Sequence, residues 1–313
     1  MPTPSQVHID AALTNLSVGY RNPAFIADVL APVVPVRKQS DKYFIYDSER
    51  AQFRPSDDKR APGTEASEIG FDISSDSYYC EDHALASVIA DEERENADPA
   101  IQPAIDRTEF LRAKIDLNKE IELAAMLTST SVITQSTTLS GDAQWSDPDS
   151  DPVAEVEARK ATIMGAVQVL PNTLVLPYPV YASVRVHDAV RACMGANYTG
   201  AITEQMLAQI FDVENVLVAR SFKNTAAAGQ TPSMSYVWGK DALLAYVPTR
   251  PGLKQMALAL TFAWAGAPGS VSGHIVEMWR EDRRKADAIR VQRYYDQKLI
   301  AAGAAFLWKS AVA

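Results

Sequence analysis

Few residues of this 313-residue chain stand in spacings that could do chemistry. The four histidines, His8, His83, His187 and His274, are separated from one another, and only two have an acidic neighbour, Asp82 beside His83 and Asp188 after His187. Neighbours in sequence point their side chains in different directions, so a carboxylate next in the chain does not by itself orient an imidazole. Both pairs therefore read as hydrogen-bonded or solvated histidines. Gly239 and Lys240 imitate the end of a phosphate loop, but Asp241 stands where Ser or Thr is needed and Met234 where the first glycine is needed. In GSVSG, Gly269 to Gly273, Val271 takes the place of a nucleophilic serine. Asp147, Asp149, Asp151 and Glu155 are spaced like calcium ligands, yet the glycine and distal glutamate of an EF-hand are missing and Pro148 and Pro152 stiffen the run. An acidic loop that starts a helix is the expectation there. Cys80 and Cys193 form no CxxC and have no histidine pair nearby, which points away from a metal site or disulfide framework and toward a reduced compartment. No catalytic residue, cofactor or metal ligand is expected.

Charge is more informative than motif. The net charge is −9, and between Thr64 and Asp98 eleven acidic residues face Arg94 alone, a local balance of −10. Such a chain is a weak electrostatic binder of nucleic acid, and any contact with it must be local. Arg280, Arg283, Arg284, Lys285, Arg290 and Arg293 form the opposite cluster, interleaved with Glu281, Asp282 and Asp287. Because complementary charge is on the same chain, a contact with the acidic run of a neighbouring subunit is the expected use. The start, MPTPSQVHID, lacks the basic and apolar pattern of a signal peptide. Gln255 to Val276 carries no charge but is broken by Gly266, Pro268, Gly269 and Gly273, so no membrane segment is expected.

The elements that would have to position any site are clearer. Asp98 is a good N-cap, Pro99 suits the first helical position, and Pro103 predicts a kink before a regular helix from Ala104 to Leu127. Phe110, Ala113, Leu117, Ile121 and Ala124 share one helical face, widened by Leu111 and Ile115, and predict a helix laid across something apolar. Before it, Met1 to Ser40 reads as an arm interrupted by Pro2, Pro4, Pro23, Pro32 and Pro35, with one short helix in NPAFIADVL before APVVPV turns extended. Tyr43 to Tyr46 and a return through Phe71, Ile73, Tyr78 and Tyr79 enclose a charged stretch. They predict a long two-stranded arm that needs a supporting surface.

After the helix, Ser146 to Gly252 alternates helices and strands. Asp151 caps a helix opened by Pro152, Thr173 to Leu176 is a strand, Tyr178 to Met194 and Thr203 to Phe211 are helices, and Val213 to Ala219 and Ser235 to Val247 are strands. The last part is β-rich. From Met256 to Ala265 the bulky Leu258, Leu260, Phe262 and Trp264 alternate with small residues, a hairpin turns around Asp282 to Asp287, and AAFLW closes the chain. The bulky face of the first of these strands is the predicted seat of the long helix, giving an α+β fold.

This order of elements resembles tailed-phage major capsid proteins of the Hong Kong 97-like fold. NPAFIADVLAPVVPVRKQSDKYFIYD is similar to the arm and loop start of that family, and TFAWAG with ADAIRVQRYYDQKLIAAGAAFLW to its end. The resemblance implies an N-arm at 1–40, an extended E-loop at 41–75, a peripheral domain from 76–145 and 253–313 with its spine helix at 98–129, and an α/β axial domain at 146–252. It also implies self-assembly into the hexamers and pentamers of an icosahedral shell around double-stranded DNA, in a virion assembled in the bacterial cytoplasm. The implied partners are copies of itself, a separate scaffold protein, a portal, a decoration protein, and packaged DNA through weak non-specific contact, with no membrane. Subunit contacts are expected at Phe25, Tyr43, Tyr46, Arg50, Arg54, Lys59, Arg60, Arg283 and Arg284. Lys42 and Lys59 match the donors of the family's isopeptide crosslink in type, but no asparagine matches a partner, so no crosslink is carried over. An encapsulin-like compartment packaging protein, and an unrecognised α/β enzyme using His187 and Asp188, are the alternatives.

Overall fold

Two larger sheets, of six and five strands, form the body among the described residues, and one long helix packs its two halves into the cores of both. The structure, a computed structural model, describes residues 8–9, 24–45, 58–60, 62–63, 65–66, 68, 74–96, 102–195, 200–252, 255–267 and 274–313. In chain order the elements are β1 (His8–Ile9), α1 (Ala27–Leu30), β2 (Val33–Val36), β3 (Ser40–Ile45), β4 (Ser74–Tyr79), β5 (Glu81–Ala90), α2 (Asp91–Glu95), α3 (Pro103–Leu127) and β6 (Ser136–Thr138). Then come α4 (Pro152–Val167), β7 (Thr173–Pro177), α5 (Tyr178–Val184), α6 (Asp188–Cys193), α7 (Glu204–Ile210), β8 (Asn215–Ala219), β9 (Phe222–Asn224), β10 (Met234–Tyr236) and β11 (Ala242–Ala245). The chain ends with β12 (Ala259–Trp264), β13 (His274–Glu281), β14 (Ala286–Leu299) and β15 (Ala305–Lys309).

The first sheet runs β1-β13-β14-β12-β2, with β5 on the other edge of β14. At 14 residues β14 is long enough to pair antiparallel with β13 along Ala286 to Arg293 and with β12 along Tyr295 to Leu299. The predicted arm supplies β2, which adds parallel to β12 with Val34 opposite Phe262. The second sheet runs β6-β15-β11-β7-β8. Its central strands, TLVLP and ALLA, are buried at every position, as strands covered on both faces must be. β7 and β8 are parallel, so the connection between them crosses over through α5, α6 and α7.

Several expectations are corrected. Pro103 is the first residue of α3, whose 25 residues run as one continuous helix of about 37 Å instead of a kinked one; Asp98 and Pro99 lie outside the described residues. The predicted helix from Tyr178 to Met194 is two short helices, the second capped by His187, whose Nδ1 accepts from Ala189 N (3.2 Å). The closing strand β15, grouped by its position with the other late strands, belongs to the second sheet, between β6 and β11.

The seat of the long helix is also different. The N-terminal half of α3 packs Leu111 and Ile115 on Ile89, Val276, Ile289, Val291 and Tyr295 of β5, β13 and β14. Its C-terminal half puts Leu123, Ala124 and Leu127 into the large core around the second sheet. Leu260 and Phe262 of β12 are instead covered by the base of the two-stranded arm. There β3 and β4 pair with Ser40 opposite Tyr79, and Phe262 meets Tyr43 at 5.2 Å and Tyr78 at 4.6 Å between ring centroids. The arm is thus rooted in an aromatic cluster, with the buried Cys80 thiol pushed up to about 12 by desolvation and Asp296.

One close approach fixes how β2 leaves this sheet. Trp264 Nε1 donates to Arg37 O (3.0 Å), and a Cβ on Gly266 would stand 2.3 Å from that same oxygen. Backbone cannot yield as a flexible side chain can, so Gly266→Ala should lower stability by about 1–3 kcal/mol, as overpacking does. Urea denaturation checks this, and an unchanged midpoint would contradict the close approach.

Candidate functional site

The most distinctive chemistry in the fold is buried charge, and it lies on α3. Among the residues this helix buries are Thr108, Arg112, Lys119 and Glu120, while Phe110, expected on its apolar face, is 55% exposed. Four of its charged positions, Arg112, Asp116, Lys119 and Glu120, recur at helical spacing on the inward side.

Each charge has a partner from a different part of the chain. Asp116 takes Arg112 Nε on one oxygen (2.7 Å) and Arg293 Nη1 on the other (2.7 Å), binding α3 to β14. Lys119 pairs with Asp28 of α1, which also lies 3.5 Å from Arg293 Nη2. Glu120 accepts three N–H groups: Ile26 N (3.1 Å) and Ala27 N (2.7 Å) on Oε2, and the Trp238 indole N–H (2.7 Å) on Oε1. It thereby caps α1, whose own N-cap residue, Ile26, offers no side-chain acceptor, and ties it to the loop before β11. Tyr295 completes the belt, its hydroxyl donating to Glu122 (3.0 Å) and its ring lying 5.6 Å from Lys119 Nζ.

The ionisation of the belt follows from its geometry. Burial would raise the Asp28 carboxyl, but Lys119 and Arg293 outweigh it and hold it down at about 2. Desolvation, with Arg293 adding to it, brings Lys119 down to about 8, so it is mostly charged at pH 7. Desolvation raises Glu120 despite the three N–H groups that favour its anion. His274 on β13 is buried beside these cations; desolvation, then Arg293, Arg112 and Lys119, push it down to about 2. It is a neutral imidazole whose Nδ1 faces Arg112 Nη1 at 2.9 Å and so acts as acceptor.

The belt is a joint. It fixes the arm's short helix, the long helix, the first sheet and the second-sheet unit to one another. Sequence reading missed it because a charge at an inward helical position looks like a solvated one. The available signal was Arg112, Asp116 and Glu120 at successive fourth positions beside Leu111, Ile115 and Leu123.

The expected motifs resolve into structural roles. His83 stacks on Tyr295 with ring centroids 4.0 Å apart, and Asp82 accepts from Gln292 (3.3 Å), so the adjacent pair does not act together. His187 Nδ1 accepts from Ala189 N while Nε2 faces Asp147 O (2.9 Å) and Ser150 Oγ (3.1 Å). Nε2 therefore carries the proton and cannot activate the serine. Asp151 caps α4, accepting from Val153 N and Ala154 N at 3.0 Å each, and Lys240 Nζ donates to Ala313 O.

The expected contact residues are scattered. Phe25 is half-buried beside Phe110 and Phe222. Tyr43 is 2% exposed, held by Phe262 and donating to Asp76 (3.3 Å), which removes it from the surface set. Tyr46, Arg50 and Arg54 lie outside the described residues. Lys59, Arg60, Arg283 and Arg284 are exposed. The wider arginine cluster meets acidic residues within its own chain: Arg280 grips Asp91 with two 2.6 Å hydrogen bonds, Arg94 pairs with Asp287, Arg290 pairs with Glu277, and Arg293 joins the belt. That corrects the expectation that the cluster as a whole waits for a neighbour.

No family model matches the chain. It is similar to the major capsid protein of Pseudomonas phage JBD67, with 29% identity over 310 residues and 97% of each chain covered. The crystal structure of a phage-related protein from Bordetella bronchiseptica RB50 covers 97% of both chains at 26% identity, with a TM-score of 0.74. The capsid structure of the cyanophage P-SCSP1u shares the fold at 9% identity, with a TM-score of 0.59 over 93% of this chain and 89% of that one. The resemblance to phage major capsid proteins is shown, and the mixed α+β fold is shared with phage capsid structures and consistent with the Hong Kong 97-like architecture.

Two expectations follow for the joint. Glu120→Ala leaves three donors without their acceptor and should cost about 3 kcal/mol or more in urea denaturation; a loss below about 1 kcal/mol would mean that the three donors find other partners. His274 should make the protein acid-sensitive. Between pH 6.5 and about 2 the unfolded chain takes up a proton that the native imidazole refuses, so stability falls as pH falls through that window, by up to about 1.4 kcal/mol per pH unit. Asp28 adds in the same direction between 3.8 and about 2. Urea midpoints measured from pH 7 to 4 should show a shallower slope for His274→Gln than for the parent chain; equal slopes would refute the assignment.

Proposed function

We propose that the chain is the major shell subunit of a tailed phage, assembling as hexamers and pentamers into an icosahedral capsid around double-stranded DNA in the bacterial cytoplasm. The observation that carries this reading is the similarity to a phage major capsid protein along 97% of both chains. In it, residues 1–40 are the N-arm, 41–75 the E-loop, 76–145 with 253–313 the peripheral domain, and 146–252 the axial domain, with β15 contributed across to the axial sheet. A scaffold and a portal protein are its assembly partners, and a decoration protein is a further one on the finished shell. The uneven acidity favours weak, local contact with DNA.

The physical support is a division of labour within the chain. The body has continuous cores and a buried joint, whereas the loop between β3 and β4 leaves from an aromatic root and its sequence carries both signs of charge. Such a loop calls for a supporting surface, and a subunit tiled against copies of itself supplies one.

Deleting residues 47–65 should leave the circular dichroism of the body unchanged while abolishing shells in negative-stain micrographs of protein co-expressed with its scaffold. Normal shells from the deletion would show that the loop straps nothing. Full-length protein that stays a compact monomer with scaffold present would overturn the shell reading itself.

A further inference from the structure

The second-sheet unit carries different surfaces at the two ends of its parallel strands β7 and β8, separated by about 13 Å of strand. Past the carboxyl ends, an apolar groove of about 270 Å³ opens between that unit, the arm and the long helix. Phe110 of α3 and Phe222 of β9 line it and are both about half exposed. The apolar surface continues through Tyr236, 4.2 Å from Phe222 between ring centroids, to the exposed Tyr178. Cations edge the groove: Lys114 lies 5.6 Å over the Phe110 ring, and Arg220 pairs with Glu204. Before the amino ends, the surface is apolar and acidic. Met164 near the end of α4 and Leu170 in the turn that follows are both about half exposed. Around them Glu157, Asp212 and Glu214 are exposed, while Lys160, which pairs with Glu157 and Asp212, is buried. Large apolar side chains exposed together at each end mark two contact surfaces.

We infer that the acidic end of one copy, led by Leu170, seats in the aromatic groove of the next copy, so that one contact between unlike surfaces repeats around a ring. The inference rests on the shell reading and names the two surfaces that meet within a ring of subunits. Charge selects the pairing. Groove against groove would set Lys114 and Arg220 against their own copies, and acidic end against acidic end would do the same with Glu157, Asp212 and Glu214. Groove against acidic end joins opposite signs. Shape agrees with charge: Leu170 stands in a turn that begins at Gln168, with φ 55°, and is followed by Pro171, so its exposed side chain sits off any regular element. The groove is smaller than a usual small-molecule pocket and suits one or two side chains of that kind. Position completes the argument. A contact that joins opposite ends of the same unit is heterologous, and it closes into a ring when the rotation between neighbours allows.

The test uses the full-length chain co-expressed with its scaffold, with the exposed Cys193 replaced by serine and with Leu170→Cys and Phe222→Cys introduced singly and together. Assembled particles are treated with bismaleimidoethane and run on denaturing gels. The double variant should give a covalent ladder that ends at pentamer and hexamer, and each single variant should stay monomeric, because every contact needs one cysteine of each kind. Dimers from either single variant would mean that like surfaces meet, and normal particles of the double variant without a ladder would mean that the two ends do not touch. Either result overturns the assignment and leaves the shell reading intact, whereas a failure of the unmodified chain to assemble overturns both. A second measurement needs no cysteine: p-benzoylphenylalanine at position 222, in particles mixed from light and heavy isotope-labelled subunits, should link on irradiation to the 161–185 peptide of the other isotope. Links confined to one copy, or to a different protein, would count against the contact.

Discussion

Glu120 is the residue on which the architecture turns. A carboxylate at the middle of a long helix, buried at 0% exposure, is costly unless every lone pair is used. Here its oxygens take the Ile26 and Ala27 amides at the start of α1 and the Trp238 indole, groups that come from the arm and from the second-sheet unit. Its neighbours extend the same logic: Lys119 reaches Asp28, and Asp116 holds Arg112 and Arg293. Buried ion pairs contribute little net stability over apolar packing, but they penalise every arrangement that leaves a charge alone. In this chain the consequence is positional. Segments separated by more than 90 residues are brought to one register on α3, with His274 kept neutral by its burial and by the cations around it.

This joint also explains which parts of the fold were legible in the sequence. Local signals held where they were satisfied locally: Asp151 with Pro152 starts α4, Thr203 caps α7, and the turn around Asp282 to Asp287 closes the β13–β14 hairpin. The aromatic strand at Tyr43 and the return through Tyr78 pair as their pattern requires. The face of α3 was misread for a physical reason. Helical spacing of apolar residues picked out Phe110, whereas the buried face mixes Leu111 and Ile115 with charges whose partners lie in β14 and α1. A period cannot show that a charge is paired by a residue 177 positions away. The bulky face of β12 was likewise assigned to the wrong cover, since the helix and the arm base both offered an apolar surface of the right kind.

The arginine-rich hairpin carries the same lesson at the surface. Its opposite charges looked reserved for a neighbour, yet Arg280 and Arg94 close a network with Asp91 and Asp287 inside the chain. Arg283 at the hairpin tip is exposed, as are Lys59 and Arg60 between β3 and β4. A body locked by buried charge, with apolar and charged features left at its margins, suits a subunit that must stay one shape while neighbours are added around it.

The central claim, that buried charge on α3 fastens the arm to the body of its own subunit, is tested most directly by hydrogen exchange at the Ile26 and Ala27 amides of the unassembled chain. Both donate to Glu120, and α1 is too short to protect them alone. Protection close to that of the amides at Leu123 to Leu127, lost selectively when Glu120 is replaced by alanine, is the predicted result. Exchange as fast as that of an exposed loop would contradict the claim.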